Sequence, residues 1–173
     1  MKNNIFSTRL LDSALKKRCT ICLPEVGDPR IVEASKLLVK MGVDVITSKD
    51  FIQSPKYMED IKRKAFTKNW PDDEVDKFIN NPVNKALSML SLGEVDGVIA
   101  GASTPTSEII RSSIRIVGIE QGSEWISSMF FLISPSGKIA YSYADCAVIP
   151  EPTPRQLADI AKRTADFHQL LSN

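Results

Sequence analysis

The segment DGVIAGASTPTSEIIRSSIRIVG, residues 96 to 118, gathers small, hydroxylic and cationic residues at spacings that suit an anion. Gly101, Ala102 and Ser103 are small enough to let backbone approach a ligand. Thr104 is placed to cap a helix whose first residue is Pro105, so Thr106 and Ser107 fall in its first turn beside exposed amides. A helix start behind a strand offers free N–H groups and the positive end of the helix dipole. Arg111, one turn on, can lean back toward that point with its guanidinium. The expected phosphate-binding set is therefore Gly101, Ala102, Ser103, Thr104, Thr106, Ser107 and Arg111. Ile109, Ile110, Ile114 and Val117 are expected to form the helix's buried stripe, with Arg115 facing solvent.

This constellation supports binding, and no catalytic residue is assigned from it. It contains no nucleophile paired with a base, no Walker GKS/T sequence and no G-x-G-x-x-G fingerprint. The competing reading is structural, since any strand-to-helix turn uses small and capping residues. A metal is not expected: the only histidine is His168, so no multi-imidazole zinc site can form. Cys19 and Cys22 match C-x-x-C, but RCTICLPE alternates like a strand, where an offset of three sends side chains to opposite faces. They read as structural thiols, and three cysteines suit a reducing, cytoplasmic setting.

The elements around the loop alternate strand and helix. Residues 20 to 23 read as a strand, and Asp28-Pro29 opens a helix to Met41 along Ile31, Ala34, Ser35 and Leu38, closed by Gly42. A second strand over 43–47 completes a β-α-β unit and implies parallel pairing with a right-handed crossover. Helices are expected from Ser54-Pro55, Pro71 and Asn81-Pro82, the last closed by Gly93; Trp70 and Phe78 cover the domain edge. Residues 96 to 100 are expected to be a fully buried central strand. Residues 125–133 and 138–143, joined through Pro135-Ser136-Gly137, read as a hairpin. In IPEPTPRQL, Thr153 and Gln156 form a capping box ahead of a helix with the stripe Leu157, Ile160, Ala161, Thr164, Phe167 and Leu171.

The expected fold class is α/β, a three-layer αβα domain with a mainly parallel sheet and an added β-hairpin. Residues 1–148 would be the phosphate-binding domain, and 149–173 a proline-rich corner and helix that begin a second one. With 173 residues, 43% hydrophobic, the chain can build a core, and a net charge of +1 argues against nucleic acid and anionic membranes. Neither a signal peptide nor a membrane-spanning run is read from the sequence.

Three segments resemble one family. CLPEVGDPRIVEASKLL, VDGVIAGASTPTSEIIRSSIRIVG and YADCAVIPEPTPRQLADIAKRTADF are similar, in that order, to motifs of the phosphate acetyl/butyryl transferases, with phosphate acetyltransferase the most similar member. The resemblance implies an isocitrate dehydrogenase-like architecture and transfer of an acetyl or other short acyl group between coenzyme A and phosphate. It implies acetyl phosphate, phosphate and coenzyme A as partners, coenzyme A being a substrate and no cofactor being required. Family members continue past the helix that begins at Pro154 into the residues credited with activating coenzyme A. The chain is thus expected to be a truncated, N-terminal part, inactive or incomplete alone, to associate as a homo-oligomer through its last helix, or to need a complementing chain. The other open reading is a catalytically silent module that binds acyl phosphate or coenzyme A. Ile149 and Ser107-Glu108 depart from the family pattern, and Arg63 does not take over the role of an arginine expected between Tyr57 and Asn81.

Overall fold

The computed structural model describes residues 5–146 and 148–172. The opening tetrapeptide, Ala147 of the ADCAV motif and the expected end of the last helix at Asn173 lie outside the described residues. Chain order is α1 (Ile5–Lys17), β1 (Thr20–Leu23), α2 (Pro29–Lys40), β2 (Asp44–Thr47), α3 (Pro55–Lys62), α4 (Asp72–Asn80), α5 (Pro82–Ser91), β3 (Gly97–Val98), α6 (Thr106–Ile116), β4 (Met129–Ile133), β5 (Ala140–Ala144) and α7 (Pro154–Ser172). Two compact units result: Lys17–Gly118, and the chain up to Lys16 together with that from Ile119 onward. The hairpin groups with the last helix, whereas the sequence placed it with the parallel sheet.

In the first unit, β1 is the centre of a parallel sheet of order β2-β1-β3, with Ile21 opposite both Val45 and Gly97. The expected central strand over 96–100 is thus a two-residue edge strand. Its ladder ends because the chain bends away: Ile99 donates to the Cys22 carbonyl, then Gly101 takes φ +107°. Ile99 is 55% exposed as a result. The chain crosses from β1 to β2 through α2 and back past β1 to β3 through α3, α4 and α5; with right-handed crossovers, the rule for parallel strands, such a reversal puts helices on both faces, as in three αβα layers. α2 lies against β2, while α5 packs on β3, α3, α4 and α6. The layer on the α5 side holds the core, in which Ile61, Val75, Leu87 and Ile116 are buried. Each such side chain contributes about 1.5–3 kcal/mol.

Local signals set the helix ends. Asp28 caps α2 by accepting from the Arg30 amide, with Pro29 in the first helical position. Asn81 closes α4 and opens α5, its Oδ1 accepting from the Val83 and Asn84 amides at 2.9 and 3.3 Å. Trp70 and Phe78 pack edge-to-face with Phe66, all at 5.5 Å between ring centroids. Cys22 is wholly buried; burial, with a smaller push from the Asp50 charge, raises its thiol to about 12.

α6 corrects two expectations. It begins at Thr106, with Pro105 in the cap position and no side-chain cap, so Thr104 does not cap it and Pro105 is not its first residue. Ile109 and Ile110 of the expected stripe are half-buried, as are Ser112 and Ser113, and Ile116 is fully buried, whereas Ile114 and Val117 are exposed. Two ladders of i, i+4, i+7 lie side by side here, and the one with small serines lets α6 approach α5.

The other unit pairs β4 with β5 antiparallel, Met129 opposite Ala144 and Ile133 opposite Ala140. α7 packs on β5. The capping box forms as expected: the Thr153 amide donates to Gln156 Oε1 at 2.8 Å, and the Gln156 amide to Thr153 Oγ1 at 3.3 Å. The packed side of α7 is Ile160, Thr164, His168 and Leu171; Leu157, Ala161 and Phe167 of the expected stripe are exposed. His168 sits 5.6 Å from the Phe131 ring, and its Nδ1 shares a hydrogen bond of 2.9 Å with Ser142 Oγ. No helix among the described residues is long and apolar enough to cross a membrane.

Candidate anion site at the strand ends

The chain leaves β1 toward one face of the sheet and β3 toward the other, so their following loops diverge at adjacent strand ends. Such a switch point is where open α/β sheets bind ligands. Here the two loops close on each other. Glu25, two residues beyond β1, accepts the Gly101 and Ala102 amides at 2.7 and 2.8 Å through one oxygen. Its other oxygen accepts the Ser103 amide at 3.1 Å, Ser103 Oγ at 3.0 Å and the Thr104 amide at 2.7 Å. From the other side, Asp28 holds the Arg30 guanidinium, which donates to the Ala102 carbonyl at 2.8 Å.

The amides expected to receive phosphate therefore hold the protein's own carboxylate. Burial pushes Glu25 up, but the Thr104 hydroxyl and the amides of Ala102, Ser103 and Thr104 outweigh it and bring the group down to about 2. A phosphate displacing it would leave a buried charge unpaired beside another anion, which costs several kcal/mol. In this structure Gly101, Ala102 and Ser103 thus shape the site without offering their amides to it. Sequence shows Glu25 just past β1, but only the pairing of β1 with β3 brings it to this loop.

The cavity next to this loop has a volume of about 220 Å³ and is lined by Thr104, Glu108, Arg111, Arg115, Asn81 and Asn84, among others. Of the expected set, Thr104 and Arg111 meet there; Thr106 and Ser107 are exposed on the first turn of α6. Arg115 was expected simply to face solvent, but its guanidinium lies over the Phe66 ring at 5.5 Å and helps line the cavity. Asn84 is fixed by donating to the Phe78 carbonyl at 2.9 Å. Two guanidiniums against the single carboxylate of Glu108, with the Thr104 and Ser112 hydroxyls and two side-chain amides, give the cavity groups that can neutralise and orient an anion. Neither a thiol nor an imidazole lines it.

The ADC motif serves a structural end. Asp145 accepts the Ser128 amide and hydroxyl, both at 2.9 Å, and the Ile149 amide. Burial raises its carboxyl, but those hydrogen bonds prevail and hold it below the usual carboxylate range. Arg63 reaches only Glu59 on its own helix, at 3.8 Å, and is exposed.

An α/β switch point beside an arginine-lined cavity is a setting that suits an anion, and comparison with known proteins shows the family. Residues 41–173 match the phosphate acetyl/butaryl transferase model, and the chain belongs to that family. It is 31% identical over 191 residues to the phosphate acetyltransferase of Nitrosomonas europaea, covering 96% of this chain and 27% of that protein. It is 30% identical over 148 residues to that of Haemophilus influenzae, covering 86% of this chain and 20% of that protein. The chain thus spans only about a quarter of the length of the curated relatives it matches. A phosphotransacetylase from Streptococcus pyogenes shares the fold with a TM-score of 0.81 at 22% identity, covering 97% of this chain and 59% of that one. The EutD phosphotransacetylase from Staphylococcus aureus does so with a TM-score of 0.76 at 21% identity, covering 96% and 58%.

Proposed function

We propose that this chain supplies the phosphate-holding part of a phosphate acyltransferase site, where an acetyl or other short acyl group passes between coenzyme A and phosphate in the cytoplasm. The observation that carries this reading is the convergence of Arg111, Arg115 and Thr104 on one cavity along α6. Thr106 and Ser107 add hydroxyls and the helix's first-turn amides. In the transfer, the coenzyme A thiolate attacks the acyl carbonyl, the C–S bond forms, and the C–O bond to phosphate breaks with its electron pair leaving on phosphate. The arginines would neutralise charge on the phosphate, and the Glu25-held loop would keep Thr104 in place for it. Activation of the thiol falls to groups outside this cavity, whether on a further segment, a second copy joined through α7 or a complementing chain.

The absence of a thiol or imidazole from the cavity lining favours a second reading, a silent module that binds acyl phosphate or coenzyme A. The two separate on purified chain. Acetyl phosphate is expected to shift the Thr106 and Ser107 amide resonances, and Arg111→Ala to weaken its binding about tenfold or more. Thioester formation with coenzyme A, lost in Arg111→Ala, supports the enzyme; amide shifts without turnover support the silent module. Signals that stay still at millimolar acetyl phosphate and at millimolar coenzyme A refute both.

A further inference from the structure

A second cavity, of about 360 Å³, opens where α3, α4 and α5 meet, and its wall holds a basic group that the anion site does not use. Lys85 lies on α5 and is only 5% exposed. Its Nζ has one oxygen partner, Gln53 Oε1 at 3.3 Å, and stands over the rings of Tyr57 and Phe51 at 5.3 and 5.9 Å from their centroids. No carboxylate among the described residues forms an ion pair with it. The nearby acids are engaged elsewhere. Glu94 accepts the Tyr57 hydroxyl and pairs with Lys56, and Asp60 takes Ser88 and Lys64. Asp76, in the wall contributed by α4, accepts from Asn80.

An ammonium buried without a counter-charge is costly, and burial accordingly lowers the Lys85 pKa. Converting it to a neutral amide removes that cost, and the cavity's apolar walls, Met58 and Ile79, suit a short acyl group. Gln53, whose Oε1 accepts from Nζ and which also lines the cavity, is exposed, so the amine lies one side chain from solvent.

We propose that Lys85 is an acylation site, its Nζ taking the acyl group of an acyl phosphate or similar activated donor that enters this cavity. The neutral amine attacks the acyl carbonyl and the C–N bond forms. The C–O bond to phosphate breaks, phosphate departs with the electron pair, and the surplus amine proton passes to water. The choice of acyl phosphate as donor rests on the function proposed above; the amine's reactivity rests on the cavity alone.

The test exposes the whole chain at neutral pH to acetyl phosphate and, separately, to the uncharged donor N-acetylimidazole, following each lysine by peptide mass spectrometry. Lys85 is expected to react about tenfold faster than the exposed Lys77 and Lys162 with both donors, the preference vanishing in denaturant. Gln53→Glu places a carboxylate beside Nζ at an exposed position. It should slow Lys85 about tenfold and move its rate profile to higher pH, leaving the reference lysines unchanged. Lys85 reacting no faster than the references, or indifferent to Gln53→Glu, overturns the proposal. Because N-acetylimidazole needs no phosphate site, preferential labelling in a chain that binds no acetyl phosphate would sink the proposed function alone. Phosphate binding without such labelling would sink this inference alone.

Discussion

Glu25 shows how a single side chain decides what a loop can bind. A run of amides behind a strand reads as an anion site, and the structure fills it with a carboxylate 76 residues away in sequence from Gly101. A drop from 4.5 to about 2 in a side chain only 7% exposed corresponds to about 3 kcal/mol of folding stability. Because the folded value lies below the unfolded one, this stabilisation is present above pH 4.5 and is lost as pH falls through about 2. Glu25→Gln should therefore lower stability by about 3 kcal/mol near neutral pH in urea unfolding. The gap to the native chain should close on acidification; a gap that persists unchanged at low pH would contradict the assignment. The nature of the partner was hidden because hydrogen bonds across strand ends depend on which strands are neighbours. Residue types near the loop do not reveal that.

At the scale of elements, the capped starts were the most legible features. Asp28-Pro29, Asn81-Pro82 and Thr153-Pro154 each join a side chain that suits the first free amides to a ring that suits the first helical φ. The Asn81 side chain holds two free amides of α5, while its backbone closes α4. Asn81→Ala should cost about 1–2 kcal/mol in chemical denaturation, with Asn81→Asp retaining most of the stability. Faces were less legible than ends. On α6, isoleucines marked one ladder and serines the adjacent one, and contact with α5 chose the serines. On α7, packing on β5 decided which residues were covered. The expected central strand became an edge because pairing order comes from crossover direction, which hydrophobicity does not encode.

For the whole molecule, the parallel α/β class was readable from the alternation of strand and helix signals, the hairpin from two apolar runs around Pro135-Ser136-Gly137 and the family from three ordered motifs, while the grouping of hairpin and last helix was not. Apolar exposure is uneven. Phe130, Leu132, Tyr141 and Tyr143 on the hairpin, and Leu157, Phe167 and Leu170 on α7, all remain largely solvent-accessible, Leu170 at 71%. Patches of this kind favour association. Sedimentation of the purified chain is expected to show concentration-dependent self-association, reduced by Leu157→Lys together with Phe167→Lys. A monomer at all concentrations would remove α7 as an oligomerisation surface. The aromatic packing also has a practical use. Of the two tryptophans, Trp70 stacks with Phe66 and Phe78 in the parallel-sheet unit. The other, Trp125, donates to Asp159 at 3.1 Å beneath Arg155 in the hairpin unit. Each unit thus contains its own fluorophore. Trp70→Phe and Trp125→Phe would give one emission signal apiece, and comparing their thermal transitions would tell whether the units melt as a single cooperative block or one after the other.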